Sequence, residues 1–382
     1  MLQPTPASVP AARKQQMADH TTPLVRDCWY VAALSDEVGR ELKERTLLGK
    51  TVLMYRTQDG QPVIMQNRCP HRNFPLSKGR LEGDQVVCGY HGMHFTPNGK
   101  CTFMPSMNNA PANARIASYP VVEKAPLVWV WMGDPAKADP ATVPDTPWLA
   151  DPAWKTVSGQ FHVGTNYVAM HENLLDQTHF PILHAGTGIG TPAYSKSTME
   201  VRVEGDVVHL VRALLDSPAP DIYGVPMNLK DRIVDRHSDG YFASPALHYA
   251  HARIVNKDVR AGEREEYRFT ITHIYTPDQQ GSIHYWWFNS RDCNLDDAGA
   301  DAFLVEASVK AYQEDVDALT WIQETVERET EPFEELSFGP DRPGIAMRRI
   351  LLKLANEEAR GDAGPATPAA AQPVPAAAGA AA

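Results

Sequence analysis

Short apolar runs separated by turn residues dominate the first third of the chain. Four of them, TVLMYR, QPVIMQN, QVVCGY and APLVWVWMG, are rich in β-branched and aromatic residues, and turns containing proline or glycine separate them. Runs of this length and composition are typical of β-strands. The pattern between Cys28 and Trp131 therefore predicts a small all-β domain.

The rest of the chain mixes helical and strand patterns. The stretch GDPAKADPATVPDTPWLADPAW, dense in proline, aspartate and alanine, predicts an extended connector. A helix is predicted around residues 165–180, followed by several strands and a long helix over roughly 300–328. The strand runs are VRVEGDVVHLVRALL, SPALHYAHARIV, REEYRFTITHIYTP and GSIHYWWFNSR. Helices flanking an antiparallel sheet indicate the α+β class.

The two ends of the chain differ from the part between them. Residues 1–23 are rich in proline, alanine and polar residues without a period, and residues 361–382 are nearly uncharged Ala/Pro sequence. Such segments bury too little apolar surface to offset the entropy of ordering. We expect a disordered leader at 1–23, a disordered tail at 361–382, and folded domains at 24–140 and 141–360.

Composition and charge limit the kinds of partner and the cellular compartment that we expect for this protein. The chain of 382 residues has a formal net charge of -11, which argues against a nucleic-acid-binding surface. No apolar run reaches the roughly 18 residues of a membrane span, and the first residues lack the apolar stretch of a secretory signal. The five cysteines are too sparse for a disulfide framework. We expect a cytoplasmic protein without a membrane or nucleic-acid partner.

Two cysteine–histidine pairs carry the clearest chemistry of the first domain. Cys69 and His71 form a C-x-H pair, and after 16 further residues Cys88 and His91 form a C-x2-H pair. Each pair fits on one tight loop, and two loops from adjacent hairpins can close over a metal centre. Two thiolates and two imidazoles suit a Rieske 2Fe–2S cluster, in which one iron takes both cysteines and the other both histidines.

A single zinc ion is the alternative for these four residues. Structural zinc sites usually place like ligands together, as C-x2–4-C and H-x3–5-H. Here each loop supplies one cysteine and one histidine, so the spacing favours the Rieske cluster. The other cysteines, Cys28, Cys101 and Cys293, have no such neighbours and are expected to be buried or free thiols.

The segment NYVAMHENLLDQTHFPILH carries a second constellation. Asn173, Asp176 and His179 are each three residues apart and would share one face of a helix. Pro181 cannot continue a helix interior, so a break there would let His184 turn back toward His179. Two histidines arranged in this way, plus one carboxylate, form the facial triad of non-haem Fe(II) oxygenases.

The carboxylate is expected from the long helix, which offers three candidates. On a helical projection Asp315 lies within the apolar arc, whereas Glu314 and Asp317 lie outside it. An acidic group on a buried face needs a partner, and a metal is one. An ion pair with an arginine or a bond to a backbone amide is the other interpretation of Asp315. The apolar arc comprises Leu304, Val305, Val309, Tyr312, Val316, Leu319, Ile322 and Val326.

Several further histidines lie near the motif or on predicted strands. His171 and Glu172 adjoin the motif, and His171 lies about two turns before His179, which suits the wall of a site better than a ligand. One or two of the strand histidines are expected to line the pocket. These are His237, His248, His251 and His273.

Both motifs, in this order, resemble the oxygenase components of Rieske non-haem iron oxygenases. The resemblance is strongest to the branch with vanillate and dicamba O-demethylases and toluenesulfonate methyl-monooxygenase. It covers nearly everything between the leader and the tail. Supporting stretches are CWYVAALSDEV, NRCPHRNFPLSKGRLEGDQVVCGYHGMHF, SYPVVEKAPLVWVWMGDP, HYWWFNSRDCNLDD and YQEDVDAL.

The resemblance implies an architecture and an assembly. It implies an all-β, sandwich-like Rieske domain, a helix-grip catalytic domain with an antiparallel sheet, and a head-to-tail homotrimer. Cys69, His71, Cys88 and His91 would hold the cluster, and His179, His184 and Asp315 the mononuclear iron, with Asn173 nearby. Asp176 would bridge His179 and the partner subunit's His91, which gives electrons a path between subunits.

The predicted function is that of one component of a multicomponent oxygenase. No G-x-G-x-x-G motif opens a helix after a strand, so NADH would be oxidised by a separate flavin/2Fe–2S reductase, or electrons would arrive through a ferredoxin. The expected reaction uses O2 to hydroxylate or O-/N-demethylate a small aromatic substrate.

Two other functions stay open. A cis-dihydroxylating aromatic-ring dioxygenase uses the same two iron centres, usually together with a small second subunit. A Rieske electron-transfer protein would need only the first domain, and the long second domain with its two spaced histidines weighs against it.

Overall fold

The computed structural model describes residues 16–107, 110, 113–187, 189, 191–329, 331 and 333–361, except the side chains of residues 195 and 196. Within these residues the chain forms two halves, each built on antiparallel strands.

The first half consists of three small antiparallel sheets, as its alternating apolar runs predict. Their strand orders are β1-β10-β9, β2-β3-β4 and β5-β6-β7-β8. The strands are β1 (Trp29–Leu34), β2 (Lys43–Leu47), β3 (Lys50–Arg56), β4 (Pro62–Gln66), β5 (Arg80–Glu82), β6 (Gln85–Val87), β7 (His94–Phe95), β8 (Cys101–Phe103), β9 (Val121–Lys124) and β10 (Leu127–Trp131).

Two apolar cores support this half. One core lies beneath the two cysteine-bearing loops and includes Leu53, Tyr55 and Met65. The other includes the buried faces of β1 and β10 and continues into the second half of the chain. A hydrogen bond joins the halves as well, because the Thr276 hydroxyl donates to the carbonyl of Val31 at 2.6 Å. The division into domains at 24–140 and 141–360 stays a prediction.

The second half is one seven-stranded antiparallel sheet with helices, which confirms the α+β class. Its strand order is β11-β17-β16-β15-β14-β13-β12. The strands are β11 (Lys155–Val163), β12 (Thr198–Glu204), β13 (Val207–Pro218), β14 (Ile233–Ser244), β15 (Leu247–Asn256), β16 (Glu266–Gln279) and β17 (Ser282–Arg291). The helices are α1 (Tyr167–Leu175), α2 (Phe180–Leu183), α3 (Asp221–Gly224), α4 (Ala298–Arg328) and α5 (Arg342–Arg360).

Helix α4 begins where its sequence supplies a cap. The Asp297 carboxylate accepts from the amides of Gly299 and Ala300, which satisfies two of the first unpaired N–H groups. The predicted apolar arc is partly wrong, because Val305, Val309 and Ile322 are exposed. The buried face carries small and polar residues instead, including Ser308, Ala311 and Gln323. Four apolar members of the predicted arc are buried as expected, and Asp315 lies on the same buried face with 6% of its surface exposed. These four are Leu304, Tyr312, Val316 and Leu319.

The stretch after β10 is not the extended connector that its prolines predict. It folds into three short 3₁₀ turns, Pro135–Lys137, Pro140–Thr142 and Pro147–Leu149. Proline is compatible with the first turn of such helices, and two of the turns are capped by aspartates. Trp148 is buried against the sheet, where its indole nitrogen donates to the Thr272 hydroxyl at 2.9 Å.

In the second half of the chain, several elements have no counterpart among the predicted ones, among them β11, β14, α3 and α5. In β14 the charged and glycine-containing sequence DRHSDG masks the strand alternation. None of the helices in the described ranges combines the length and apolarity that crossing a membrane requires.

The ends of the described chain pack against the fold. The Ala18 amide donates to the carbonyl of Arg348 on α5 at 2.9 Å, and Thr22 is buried. The packed chain therefore begins upstream of the predicted boundary at residue 24. Residues 1–15 of the predicted leader and 362–382 of the predicted tail lie outside the described residues.

Candidate metal centres and substrate cavity

The two cysteine-bearing loops have the same backbone geometry. In the first, the Cys69 amide donates to the carbonyl of Phe74 and the Asn73 amide donates back to the Cys69 carbonyl, both at 2.9 Å. In the second, Cys88 makes the equivalent bonds with Met93 and Gly92. The residue four positions after each cysteine has positive φ, 59° at Asn73 and 71° at Gly92. Asparagine and glycine tolerate this conformation best, so each sequence suits its tight loop.

The loops place the sulfur and imidazole ligands at different depths. Cys69 and Cys88 are almost completely buried. His71 and His91 lie toward the surface, with their Nδ1 atoms 3.2 Å apart. The exposed ring of Tyr90 lies 3.9 Å from that of His91, centroid to centroid. The four side chains thus form a buried sulfur end and a surface imidazole end.

This arrangement fits a two-iron cluster better than one zinc ion. Among the described residues, no three of these four side chains bring ligand atoms within 4.8 Å of one another, whereas one tetrahedral zinc draws all four ligands together. Burial, together with the adjacent Cys88 thiol, raises the pKa of Cys69 to about 11. A thiolate pair at this depth therefore needs the positive charge of a metal centre.

The second constellation forms at a short break between two helices. Helix α1 ends at Leu175, earlier than Pro181 predicts, because the Asp176 carboxylate accepts from the amide and hydroxyl of Thr178. Pro181 lies in the first turn of α2, where a missing N–H costs nothing. His179 and His184 cap the two ends of this one-turn helix. The expected return of His184 toward His179 is therefore present, with ring centroids 5.2 Å apart.

Asp315 of α4 meets both histidines. Its Oδ1 atom lies 3.2 Å from Nε2 of His184 and 3.5 Å from Nε2 of His179. The Asn173 amide also donates to this oxygen at 3.1 Å. Of the described residues, His179, His184 and Asp315 form the group whose donor atoms lie close enough for one metal ion. Asp317 is exposed and bonds Gln313 instead.

The donor set is suited to a divalent metal. Nε2 of His179 is buried and has no hydrogen-bond partner in the described structure. Burial lowers the pKa of His179, so its ring is neutral and can coordinate. A buried carboxylate with two convergent imidazoles matches the 2-His-1-carboxylate site of non-haem iron.

Glu314 also contacts the histidine pair, which the helical projection did not predict. Its carboxylate accepts from Nδ1 of His184 at 2.8 Å, although Glu314 itself is partly exposed. Burial lowers the pKa of His184, but the bonds to Asp315 and Glu314 outweigh it and raise the pKa above its ordinary value. The projection classed Glu314 as solvent-facing, and no local signal could have shown that a histidine reaches it.

A cavity opens beside His184 and Asp315. One wall is the inner face of β14 and β15, where Gly240 lies opposite Ala250, and Ala252 lies two positions further along β15. These small residues leave room between the sheet and α4. The other lining residues are mostly apolar or aromatic, including Leu174, Phe180, Ile189, Tyr194, Ile222, Tyr223, Ile254, Ile271, Ala311 and Tyr312.

The strand histidines divide between the cavity and the core. His237, His248 and His273 line the cavity. His251 is buried elsewhere, with Nδ1 bonded to the Thr270 hydroxyl. His171 is fully buried between the Pro245 carbonyl and the Tyr275 hydroxyl. It contributes to the core rather than to the wall that the sequence suggests.

Two family models match the chain over its two halves. Residues 28–120 match the Rieske [2Fe-2S] domain. Residues 163–357 match the vanillate O-demethylase oxygenase C-terminal domain. The two matches contain all of the metal-ligand candidates described above.

Individual relatives extend over most of the chain. The toluene-4-sulfonate monooxygenase system iron-sulfur subunit of Comamonas testosteroni is 36% identical over 76% of this chain and 86% of its own. The oxygenase component of dicamba O-demethylase of Stenotrophomonas maltophilia is 32% identical over 88% and 99%. The crystal structure of dicamba monooxygenase bound to dicamba superimposes with a TM-score of 0.81 and 30% identity, over 88% and 99% of the two chains.

Proposed function

Because the chain belongs to the family of Rieske non-haem iron oxygenases that includes vanillate O-demethylase, we propose a specific role for each site residue and a mode of assembly. The protein is the oxygenase component of such a system, with a Rieske 2Fe–2S cluster and a mononuclear iron. The observation that supports the residue roles most strongly is the convergence of His179, His184 and Asp315 beside an apolar cavity.

In this proposal Cys69, His71, Cys88 and His91 hold the cluster, and His179, His184 and Asp315 hold the mononuclear iron. When bound, the two centres supply electrons and activate O2 for attack on a substrate C–H bond. The protein contributes orientation: Glu314 fixes the protonated nitrogen of His184, and the amide of Asn173 orients Asp315. The apolar cavity wall excludes water from the bound substrate.

We place the reaction as a monooxygenation or demethylation of a small aromatic compound. The relatives named above are a monooxygenase subunit and an O-demethylase component. A methoxy or N-methyl carbon that gains a hydroxyl group leaves as formaldehyde and its oxygen or nitrogen keeps the proton, whereas an aromatic ring attacked by a dioxygenase gives a dihydrodiol. The apolar lining of the cavity, which includes the rings of Tyr194 and Tyr223, suits an aromatic body.

The proposed assembly is a head-to-tail homotrimer in which Asp176 connects two subunits. Asp176 and His179 line a second cavity, and Asn173 lines both cavities, so the iron ligands lie between them. The imidazole end of the cluster site faces the surface, as a transfer across a subunit boundary requires. We propose that the partner subunit's His91 docks at this second cavity and bonds Asp176.

Electron supply is assigned to a separate NADH-dependent flavin/2Fe–2S reductase or to a ferredoxin. We also place the enzyme in the cytoplasm, since none of its five cysteines, all within the described ranges, forms a disulfide.

Alanine replacement of His179 or Asp315 tests the site assignment. With reductase, NADH and an aryl methyl ether, we expect formaldehyde release to stop in either variant while the visible spectrum of the cluster is unchanged. Each variant should lose about one iron per chain and keep its acid-labile sulfide. Asp317→Ala, on the exposed side of the same helix, is the matched control and should keep its activity.

Two outcomes would contradict the proposal. Loss of the cluster spectrum in either variant would refute the assignment of two separate sites. Dihydrodiol formation from an arene by the unaltered enzyme, without formaldehyde from a methyl ether, would assign it to the dioxygenases.

A further inference from the structure

A buried arginine lines the cavity without a carboxylate partner. Arg236 lies on β14 and is 8% exposed. In the described part of the chain, no carboxylate oxygen lies within 4.0 Å of its guanidinium, and its nitrogen atoms form no hydrogen bond. Arginine stays charged in any protein environment. The cavity therefore carries a fixed positive charge.

The contacts that Arg236 does make are with aromatic faces. Its guanidinium carbon lies 5.0 Å from the ring centroid of Tyr194 and 5.6 Å from that of Tyr223. Such cation–π contacts are weak compared with the cost of removing an ion from water. The two rings therefore hold the guanidinium in place without compensating its charge.

Neither ring provides the missing negative charge. Burial raises the pKa of Tyr194 to about 12, even though Arg236 and Arg212 both act to lower it. The Tyr194 hydroxyl donates to the side-chain oxygen of Gln177. At neutral pH the phenol is therefore uncharged.

A second buried arginine adds to the same positive region. Arg212 on β13 is 6% exposed, and its guanidinium lies 5.5 Å from the Tyr194 ring centroid. Its partners are the Ser197 hydroxyl and the Met199 sulfur, and its Nε has no partner in the described structure. Two buried guanidinium groups thus flank one neutral tyrosine.

Resting on the proposed oxygenase function, we propose that Arg236 binds an oxyanionic substituent of the substrate, a carboxylate or a sulfonate. The planar guanidinium offers two parallel N–H donors, which match the oxygen pair of either group. The wall beside it is apolar, with Ala252 and Ile254 opposite Ser238 and Arg236 across the strands. The substrate class is therefore an aromatic acid, with its charged end at Arg236 and its apolar body along β15.

Binding of matched compounds tests this without turnover. Oxidised holoenzyme, without reductase or NADH, is titrated calorimetrically with 4-methoxybenzoate and 4-methoxybenzamide, and with toluene-4-sulfonate and toluene-4-sulfonamide. Each pair has the same ring and differs in charge. We expect at least one of the two acids to bind tenfold or more tightly than its amide, and the better acid identifies the anion.

Substitutions at Arg236 assign the preference to this residue. Arg236→Met, which keeps much of the volume, should abolish the preference and leave amide binding within about threefold. Arg236→Lys should keep part of it, because the charge remains but the paired donors are lost. Arg253→Met is the matched control: Arg253 lies on β15, pairs with Glu266 and is absent from the cavity lining, so the preference should persist.

A thermal melt separates ligand binding from a structural role. If Arg236 serves to bind an anion, the melting temperature of ligand-free Arg236→Met should be no lower than that of the unaltered protein, because the substitution removes a buried unpaired charge. Equal binding of acid and amide, or a full preference in Arg236→Met, would overturn the proposal. Formaldehyde release from the amide without preference for the acid also overturns it, yet leaves the oxygenase function intact. Preferred binding of acids without any turnover supports it and counts against the function.

Discussion

The Nδ1 atom of His184 lies 2.8 Å from a carboxylate oxygen of Glu314, the residue next to Asp315 on α4. Because a carboxylate only accepts, Nδ1 carries the proton and donates it. Nε2 of His184 faces Asp315, 3.2 Å away, and would coordinate a metal once its own proton is lost. Of these two consecutive residues of one helix, Asp315 supplies the carboxylate oxygen at the proposed metal site and Glu314 orients the imidazole of His184.

We predict that Glu314→Ala lowers the affinity for the mononuclear iron by about 10- to 100-fold, the usual effect of removing a partner that orients a ligand. Glu314→Gln should lose less, because its amide oxygen still accepts from Nδ1. Competition with an iron chelator, on protein whose cluster spectrum is intact, measures the change. Asp317→Ala is the control, and an equal loss of iron in that variant would show that the effect belongs to the helix rather than to the contact.

The two cysteine-bearing loops are expected to respond differently to substitution at their positive-φ positions, Asn73 and Gly92. Gly92 has φ of 71°, and a Cβ there would lie 2.9 Å from the side chain of Pro105. Gly92→Ala should destabilise its loop by about 1–2 kcal/mol, the cost of a side chain in the left-handed region. Asn73→Gly adds no such strain at φ of 59°. The rate at which visible absorption is lost on warming compares them, and equally fast loss in both variants would contradict this account.

The small residues on the cavity wall predict a limit on substrate size. Ala252 lies on the inner face of β15. Ala252→Val and then Ala252→Leu should reduce kcat/KM progressively for bulky methyl ethers and less for small ones, because each added methyl group fills space that the substrate occupies. Thermal stability should fall little or rise, since an existing cavity is filled rather than a packed core strained. A uniform loss for all substrates would instead indicate a displaced metal site.

The buried and neutral side chain of His248 predicts how the free energy of unfolding depends on pH. Burial lowers the pKa of His248 to about 3, from 6.5 in the unfolded chain. The unfolded state therefore binds a proton below pH 6.5 that the folded state refuses until about pH 3. The contribution of neutral His248 to the free energy of unfolding is therefore complete above pH 6.5. As the pH falls well below 6.5, that free energy declines by about 1.4 kcal/mol per pH unit.

In His248→Leu this proton cannot bind to the unfolded chain, so the slope of the free energy of unfolding against pH should fall by about 1.4 kcal/mol per pH unit. Urea unfolding followed by tryptophan fluorescence at pH 6.5, 5.5 and 4.5 gives the slope for each protein. Parallel slopes would show that His248 does not stay neutral in the folded state.

Much of the fold could be predicted because its signals are local. Runs such as TVLMYR and APLVWVWMG show their strand character within a few residues, and β3 and β10 lie where they indicate. Strand β14 was missed because Arg236 and Ser238 stand at inward positions where alternation requires apolar side chains. These polar side chains can point inward because they line a cavity rather than a packed core. The sequence of a single strand does not indicate whether its inner face borders a cavity.

The sequence by itself determined the chemistry that each segment offers. The C-x-H and C-x2-H loops, the His179–His184 spacing and the buried phase of Asp315 are properties of neighbouring residues, since ligand type and backbone geometry are set locally. The assignment of these residues as ligands remains the proposal to be tested.

Only the tertiary structure decided which distant groups meet. It packs α4 against the helix break, so that Asp315 and Glu314 approach histidines about 130 positions away along the chain. It also turns Arg236 toward the same cavity. Pairing across such distances depends on how the sheet and helices pack as a whole, because no local preference of Glu314 or Arg236 distinguishes these positions from a solvent-exposed one.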